Sequence, residues 1–206
     1  MSKNFYHYPV WVRLWHLTNA LICLILIVTG FSMLYSDPDN ALVVNFQRAV
    51  SIHNVCGVLL TISYTAFLFG NLFTDNGRHY LVSLKGLGLR LWKQMRFYAF
   101  GYFRGEEAPF PVNGERKFNP LQQISYVGVM YFALPMLFVT GWALMFPEFI
   151  LKRFLGFSGI FLTDQFHVIL GFLVVVFLFI HLYVSTMGRS PLSNFRSIVS
   201  GWQESH

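Results

Sequence analysis

Four stretches of the chain, 14–34, 49–74, 118–147 and 165–188, contain no Asp, Glu, Lys or Arg. Crossing a bilayer takes about 20 apolar residues as helix, because hydrocarbon leaves every backbone N–H and C=O to be satisfied internally. Each stretch is long enough to span with some tilt. The pattern predicts helices at 11–35, 49–73, 121–146 and 164–187. Between the second and third lies a connection over 75–120 that is too long for a simple turn. In it Leu84, Leu87, Leu91, Met95 and Tyr98 recur at helical spacing among Lys85, Arg90, Lys93 and Arg96. That is the pattern of a basic helix lying in the membrane interface. Lys85-Gly86-Leu87-Gly88 follows no strand, so it is not a dinucleotide loop. Residues 105–114, with Glu106, Glu107, Pro109 and Pro111, read as an exposed turn, and no internal repeat is evident. The expected fold is all-α. A single integral membrane domain over 1–206 forms a four-helix bundle, with a long cytoplasmic loop containing an interfacial helix.

Composition agrees: 55% of residues are hydrophobic, 18% aromatic and only 12% charged, whereas about a quarter of a soluble domain is charged. The same composition excludes a disordered tail, and two cysteines are too few for a disulfide-stapled secreted domain. Cys23 and Cys56 read as buried, reduced apolar residues. The first stretch is too long for a signal-peptide core and no small-residue cleavage site follows it, so it reads as a retained span. The formal charge of +6 has a topological explanation. Twelve of the fifteen basic residues, from Lys3 and Arg13 through the long loop to Arg189 and Arg196, fall on one side, against Arg48, Lys152 and Arg153 on the other. Lys and Arg are retained in the cytoplasm, so both termini are expected there. The excess reads as orientation and attraction to anionic lipid, not as nucleic-acid binding.

Histidine within a span is costly and usually functional. His16, His53, His167 and His181 fall inside the predicted spans, whereas His7, His79 and His206 fall outside. His167 and His181 are fourteen residues apart, about four helical turns, so they share a face roughly 21 Å apart along the axis. With cytoplasmic termini, His16 and His181 lie toward the cytoplasmic surface, and His53 and His167 toward the outer one. The pairs are therefore His16 with His181 and His53 with His167.

Two imidazole pairs at two depths of a four-helix bundle are what two haem irons need, each taking one axial nitrogen from either side. Gly57 and Gly171 follow His53 and His167 by one turn and would leave room for a macrocycle, and Gly30 lies at the depth of the outer pair. Arg13, near His16, and Arg48, near His53, are candidate partners for haem propionates. Without Cys-x-x-Cys-His the haems would be non-covalent, b-type. The competing reading makes the histidines polar bridges between helices, the glycines close-packing positions and the arginines interfacial anchors. A zinc or copper site is disfavoured, because neither pair has a cysteine or carboxylate to complete it.

The residues Tyr8-Pro9-Val10-Trp11-Val12-Arg13-Leu14-Trp15-His16, Thr29-Gly30, His53-Asn54-Val55-Cys56-Gly57 and 70–80, with the fourteen-residue histidine separation, resemble prokaryotic di-haem cytochrome b subunits. The likeness is to the thiosulfate reductase and membrane-bound formate dehydrogenase (gamma subunit) type, over nearly the whole chain. It implies a bacterial cytoplasmic (inner) membrane protein that moves electrons between the quinone pool and a periplasmic partner. That partner would be an iron–sulfur, molybdoenzyme or multihaem cytochrome c subunit. The quinone, menaquinone or ubiquinone, would sit at the cytoplasmic end near Asn119 and Gln122, with His79 a further candidate. Leu121 stands where the formate dehydrogenase type has a small residue, and helix capping is the other reading of Asn119.

No nucleophile–base pair or metal-activated water site stands in the outer loops, 36–47 and 147–163. The leading expectation is an electron-transfer subunit of a quinone-linked oxidoreductase complex. A standalone cytochrome b that oxidises superoxide or another small reductant and reduces quinone is the second reading. A non-redox anchor is the third.

Overall fold

The four apolar stretches form four long helices in the computed structural model, which describes residues 4–37, 40–111, 113, 115–188 and 190–204. Lys3, Arg189 and His206 lie outside the described residues. In chain order the elements begin with β1 (Asn4–Tyr6), α1 (Val10–Tyr35) and α2 (Phe46–Phe73). A 3-10 turn (Asp75–Tyr80) and the short helix α3 (Leu87–Arg96) follow. The third span is α4 (Pro120–Gly128), a π-helical turn (Val129–Ala133) and α5 (Leu134–Met145). Then come β2 (Arg153–Phe154), β3 (Phe157–Ser158), α6 (Gly159–Ser185), α7 (Ser193–Ser200) and β4 (Trp202–Glu204). The protein is mostly helical, and its four spans are long and apolar enough to cross a membrane. Each helix turns large apolar side chains outward: Leu21 is 61% exposed, Val55 60%, Val139 63% and Phe179 68%. In water those surfaces would be costly; against lipid they are the expected exterior.

Two boundaries differ from the predicted ones. α2 starts at Phe46 because Asn45 caps it, its Oδ1 accepting from the Arg48 N–H at 2.9 Å. α6 starts at Gly159 and carries Asp164 inside it. Helices run on past the hydrocarbon, so a charge-free criterion marks the membrane and not the helix end. The π-helical turn has a cause in Pro135, whose ring cannot follow an ordinary α-turn and which lacks the N–H to bond back.

The residues group into two compact sets, and each long helix contributes to both. One set comprises 15–68 and 131–175. Here Trp15 stacks on Phe67 with ring centres 4.3 Å apart and donates its indole N–H to the Ser63 carbonyl at 3.1 Å. Tyr64 meets Phe138 at 5.0 Å, and Phe31 meets Phe172 edge-on at 5.5 Å. Phe67, Leu170 and Ser32 are almost wholly buried.

The other set comprises 1–14, 69–130 and 176–206. β1 pairs antiparallel with β4, Phe5 opposite Gln203, and the backbone N–H groups of His7 and Tyr8 both donate to the Gly201 carbonyl. The Arg13 guanidinium donates to the Val199 carbonyl at 2.8 Å. The loop helix exists as α3. Leu87, Leu91, Gln94 and Tyr98 turn inward, while Leu84 precedes the helix, 78% exposed, and Met95 faces out. Gln94 is buried and hydrogen-bonds Tyr98.

Candidate functional site

In the set formed by 15–68 and 131–175, His53 of α2 and His167 of α6 face each other, with ring centres 6.3 Å apart and planes at 69°. Each ring is held by a threonine on another helix. The Thr29 hydroxyl of α1 lies 2.8 Å from the Ile25 carbonyl one turn back and 2.9 Å from His53 Nδ1. The Thr140 hydroxyl of α5 lies 2.8 Å from the Met136 carbonyl and 2.8 Å from His167 Nδ1. A hydroxyl has one proton to give. Were that proton given to the imidazole, two oxygens would face each other at 2.8 Å with nothing between them. The hydroxyl therefore donates backward to the carbonyl and accepts from Nδ1–H. This assigns the tautomer and leaves Nε2 of both rings with a lone pair, the form in which imidazole binds metal.

The neighbouring glycines complete the arrangement. A Cβ on Gly30 would stand 3.6 Å from His53 Cε1, and one on Gly141 3.3 Å from His167 Cε1. Thr-Gly thus occurs twice, its threonine holding a ring by Nδ1 and its glycine giving that ring's edge room. At Gly57 and Gly171, one turn from each histidine, an added Cβ would meet nothing within 4 Å.

These residues fit a haem iron. With a metal–imidazole bond of about 2 Å, two rings ligating one metal from opposite sides have centres roughly 6 Å apart, and His53 and His167 already stand at 6.3 Å. His16 also belongs to this set, half-buried beside the Trp15 anchor.

His181 belongs to the other set. Its ring stacks on Phe177, with centres 5.7 Å apart and planes at 18°, and its Nδ1 lies 3.3 Å from the Tyr126 hydroxyl. Tyr126 in turn meets Phe118 edge-on at 4.9 Å. Around Phe118 gathers a polar cluster. Lys117, only 3% exposed, donates Nζ to Asn76 Oδ1 at 2.7 Å and lies over the rings of Tyr8 at 4.8 Å and Phe118 at 5.6 Å. Burial pulls its ammonium down to about 8. His79 lies edge-on to Phe118 and to His7, each at 6.3 Å. Its burial, with Lys117, Arg78 and His7 adding repulsion, pushes it down to about 4, so the ring is neutral. His7 is lowered as well, first by burial, while it bonds the Asn113 carbonyl at 2.9 Å.

Asn119 and Gln122 form a reciprocal capping box at the start of α4. Asn119 Nδ2 also donates to the Tyr98 hydroxyl at 2.6 Å, and Gln123 donates to the His79 carbonyl at 2.8 Å. His79, Asn119 and Gln122 thus belong to one set of residues together with His181. Arg48 is exposed on the first turn of α2, and Arg13 is engaged by Val199. Thr140, Tyr126 and the burial of Lys117 did not follow from the sequence. The one signal available for Thr140 was the second Thr-Gly, echoing Thr29-Gly30.

A family model described as prokaryotic cytochrome b561 matches residues 7–201. A protein of Escherichia coli K12 named "Putative cytochrome YdhU" is 41% identical over 205 residues, covering 98% of this chain and 75% of that protein. A Rhodobacter capsulatus protein named "Probable Ni/Fe-hydrogenase B-type cytochrome subunit" is 25% identical over 225 residues, covering 98% of this chain and 80% of that protein. No solved structure matches the chain significantly. The match over almost the whole length, on a four-span scaffold that presents facing imidazoles, places the chain in the prokaryotic cytochrome b561 family, as a multi-pass bacterial membrane protein that transfers electrons through haem b.

Proposed function

We propose that this chain holds two haems b and carries electrons between the quinone pool and a redox partner on the periplasmic face, with both termini cytoplasmic. The observation that carries the reading is the His53–His167 pair at 6.3 Å, each Nδ1 committed to a threonine. These two histidines hold the outer haem; His16 and His181 hold the inner one. The fourteen-residue spacing on α6 supports the second pair, because it keeps His181 on the face that presents His167. Haem b supplies a one-electron iron couple when bound. The protein's part is to fix the imidazole planes, to exclude water with the surrounding aromatic and aliphatic side chains, and to set ligand basicity through the Nδ1 partners.

At the cytoplasmic end Asn119, Gln122 and His79 meet the quinone headgroup, whose two oxygens need hydrogen-bond partners and a proton source. His79 is neutral and can serve as donor or acceptor. Arg13 and Arg48 compensate propionate charge near their own interfaces. Electron exchange with a partner subunit, an iron–sulfur protein, a molybdoenzyme or a multihaem cytochrome c, is in keeping with a relative named as a hydrogenase cytochrome subunit. Quinone chemistry inside and partner chemistry outside would couple turnover to the membrane potential.

The test is a haem count on the purified chain by pyridine haemochrome, with His53→Ala, His167→Ala, His16→Ala and His181→Ala in parallel. Two haems per wild-type chain are expected, with one lost in each variant. The same spectral component should disappear in the first two variants, and the other component in the last two. A count of one haem overturns the di-haem reading, and loss of different components from His53→Ala and His167→Ala overturns the pairing.

A further inference from the structure

The threonines that hold His53 and His167 belong to a repeated unit. In both halves of that site a Thr-Gly dipeptide on one span meets the histidine of the next span. Thr29-Gly30 of α1 serves His53 of α2, and Thr140-Gly141 of α5 serves His167 of α6. The correspondence is close. Oγ1 lies 2.8 Å from the carbonyl four residues back in both, 3.2 Å from the carbonyl three residues back in both, and 2.9 or 2.8 Å from Nδ1. Both threonines are buried, 2% and 7% exposed. A buried hydroxyl in hydrocarbon seeks its own backbone carbonyl whatever else is near, so this bond alone signals nothing. What is particular here is that both hydroxyls, so anchored, turn their lone pairs onto a ring nitrogen.

We propose that Thr29 and Thr140 are paired positioning residues that set the reduction potential of the haem held by His53 and His167, by accepting the Nδ1–H of both axial ligands. This rests on the assignment of those histidines as ligands to one iron. The chemistry has a definite sign. An acceptor on Nδ1–H increases electron density on the imidazole and makes Nε2 a stronger donor. A stronger donor favours the ferric state. The backward bond to the carbonyl keeps the hydroxyl proton out of competition for Nδ1, so the threonine cannot reverse its role by rotating. Two such acceptors act in the same direction on one iron and lower its potential. Tyr126 at 3.3 Å is a longer and different partner for His181, so the two haems are tuned by different chemistry.

The experiment is a spectroscopic redox titration of the full chain in detergent, comparing wild type with Thr29→Val, Thr140→Val, the double variant, Thr29→Ser and Thr140→Ser. Thr65→Val is the control, because Thr65 makes the same backward bond on α2, to the Thr61 carbonyl, from an exposed position. Each Val variant should keep both haems and shift one haem's reduction equilibrium about tenfold toward the ferrous form, a rise of about 59 mV for one electron. The double variant should add the two shifts, the Ser variants should return to wild type, and the second haem and the control should not move.

Unchanged or lowered potentials with both haems retained overturn the inference and leave the ligand assignment standing. If His53→Ala and His167→Ala do not remove the component that the Val variants shift, the ligand assignment itself fails. Should a Val variant lose its haem, the Ser variant decides. Retention at the wild-type potential supports the hydroxyl's role, and loss in Ser as well overturns it.

Discussion

Lys117 supplies a measurement of how dry the interior of this chain is outside its spans. The residue is 3% exposed, and its ammonium has Asn76 as a hydrogen-bond acceptor and lies over two aromatic rings. Desolvation moves it from the usual 10.5 down to about 8, a differential of about 3 kcal/mol at 1.36 kcal/mol for each tenfold. Folding thus binds the proton more weakly than the unfolded chain does. Between pH 8 and 10.5 the unfolded state keeps a proton that the folded state releases, so stability rises with pH across that window and is flat below it with respect to this group. Lys117→Met keeps the aliphatic stem and removes the titration. At neutral pH it loses a charge-assisted hydrogen bond, worth roughly 1.5–3 kcal/mol, and cation–π contact worth about 1 kcal/mol. Relief of the desolvation penalty offsets most of that, so the variant's stability stays within about 1–2 kcal/mol of wild type. The difference between the two proteins, from thermal unfolding in detergent, should then shift in favour of wild type by up to about 3 kcal/mol as pH rises from 8 toward 10.5. A difference that stays constant across the window would refute the reasoning, because a solvated ammonium has nothing to gain there.

His79 behaves in the same direction at lower pH. Held neutral down to about 4, it costs the folded chain stability as pH falls from 6.5 toward 4. His79→Gln should flatten that acid slope without abolishing it, since His7 is lowered too; an unchanged unfolding profile between these pH values would contradict it. Gly70→Ala would put a Cβ 2.6 Å from the Trp11 ring. The ring must move, and a loss of about 1–3 kcal/mol is expected in detergent unfolding. Asn119→Ala removes the cap of α4 at about 1 kcal/mol and, on the quinone reading, slows quinol-driven haem reduction with the haem count unchanged. An unchanged rate would leave Asn119 a cap alone.

The spans were legible because lipid imposes a coarse rule on long stretches, and the four histidines stood out because that rule makes each of them costly. What partners a ring was not legible. Thr29 and Thr140 reach their histidines across 24 and 27 residues, by a contact between separate helices. A two-residue echo separated by more than a hundred positions carries no periodicity to detect. Lys117 looked like one more basic residue of a cytoplasmic loop, and nothing local says that Tyr8, Asn76 and Phe118 close around it. Asn119 was readable as a cap because a capping box lies within four consecutive positions, here Asn119 to Gln122. That α3 buries Gln94, which hydrogen-bonds Tyr98, was not legible either.

The strand pairing of β1 with β4 also sets an order in time. The arm that lays Tyr8 over Lys117 is made first, yet its backbone partners are Gly201 and the strand 202–204, and the Tyr8 hydroxyl donates to Gln203. Until those residues leave the ribosome the arm lacks its strand partner and holds only by contacts such as that of His7 with the Asn113 carbonyl. Closure of the arm therefore reports that synthesis has passed the last span. A chain released before residue 201 would carry its transmembrane helices but lack the strand that pairs with the arm.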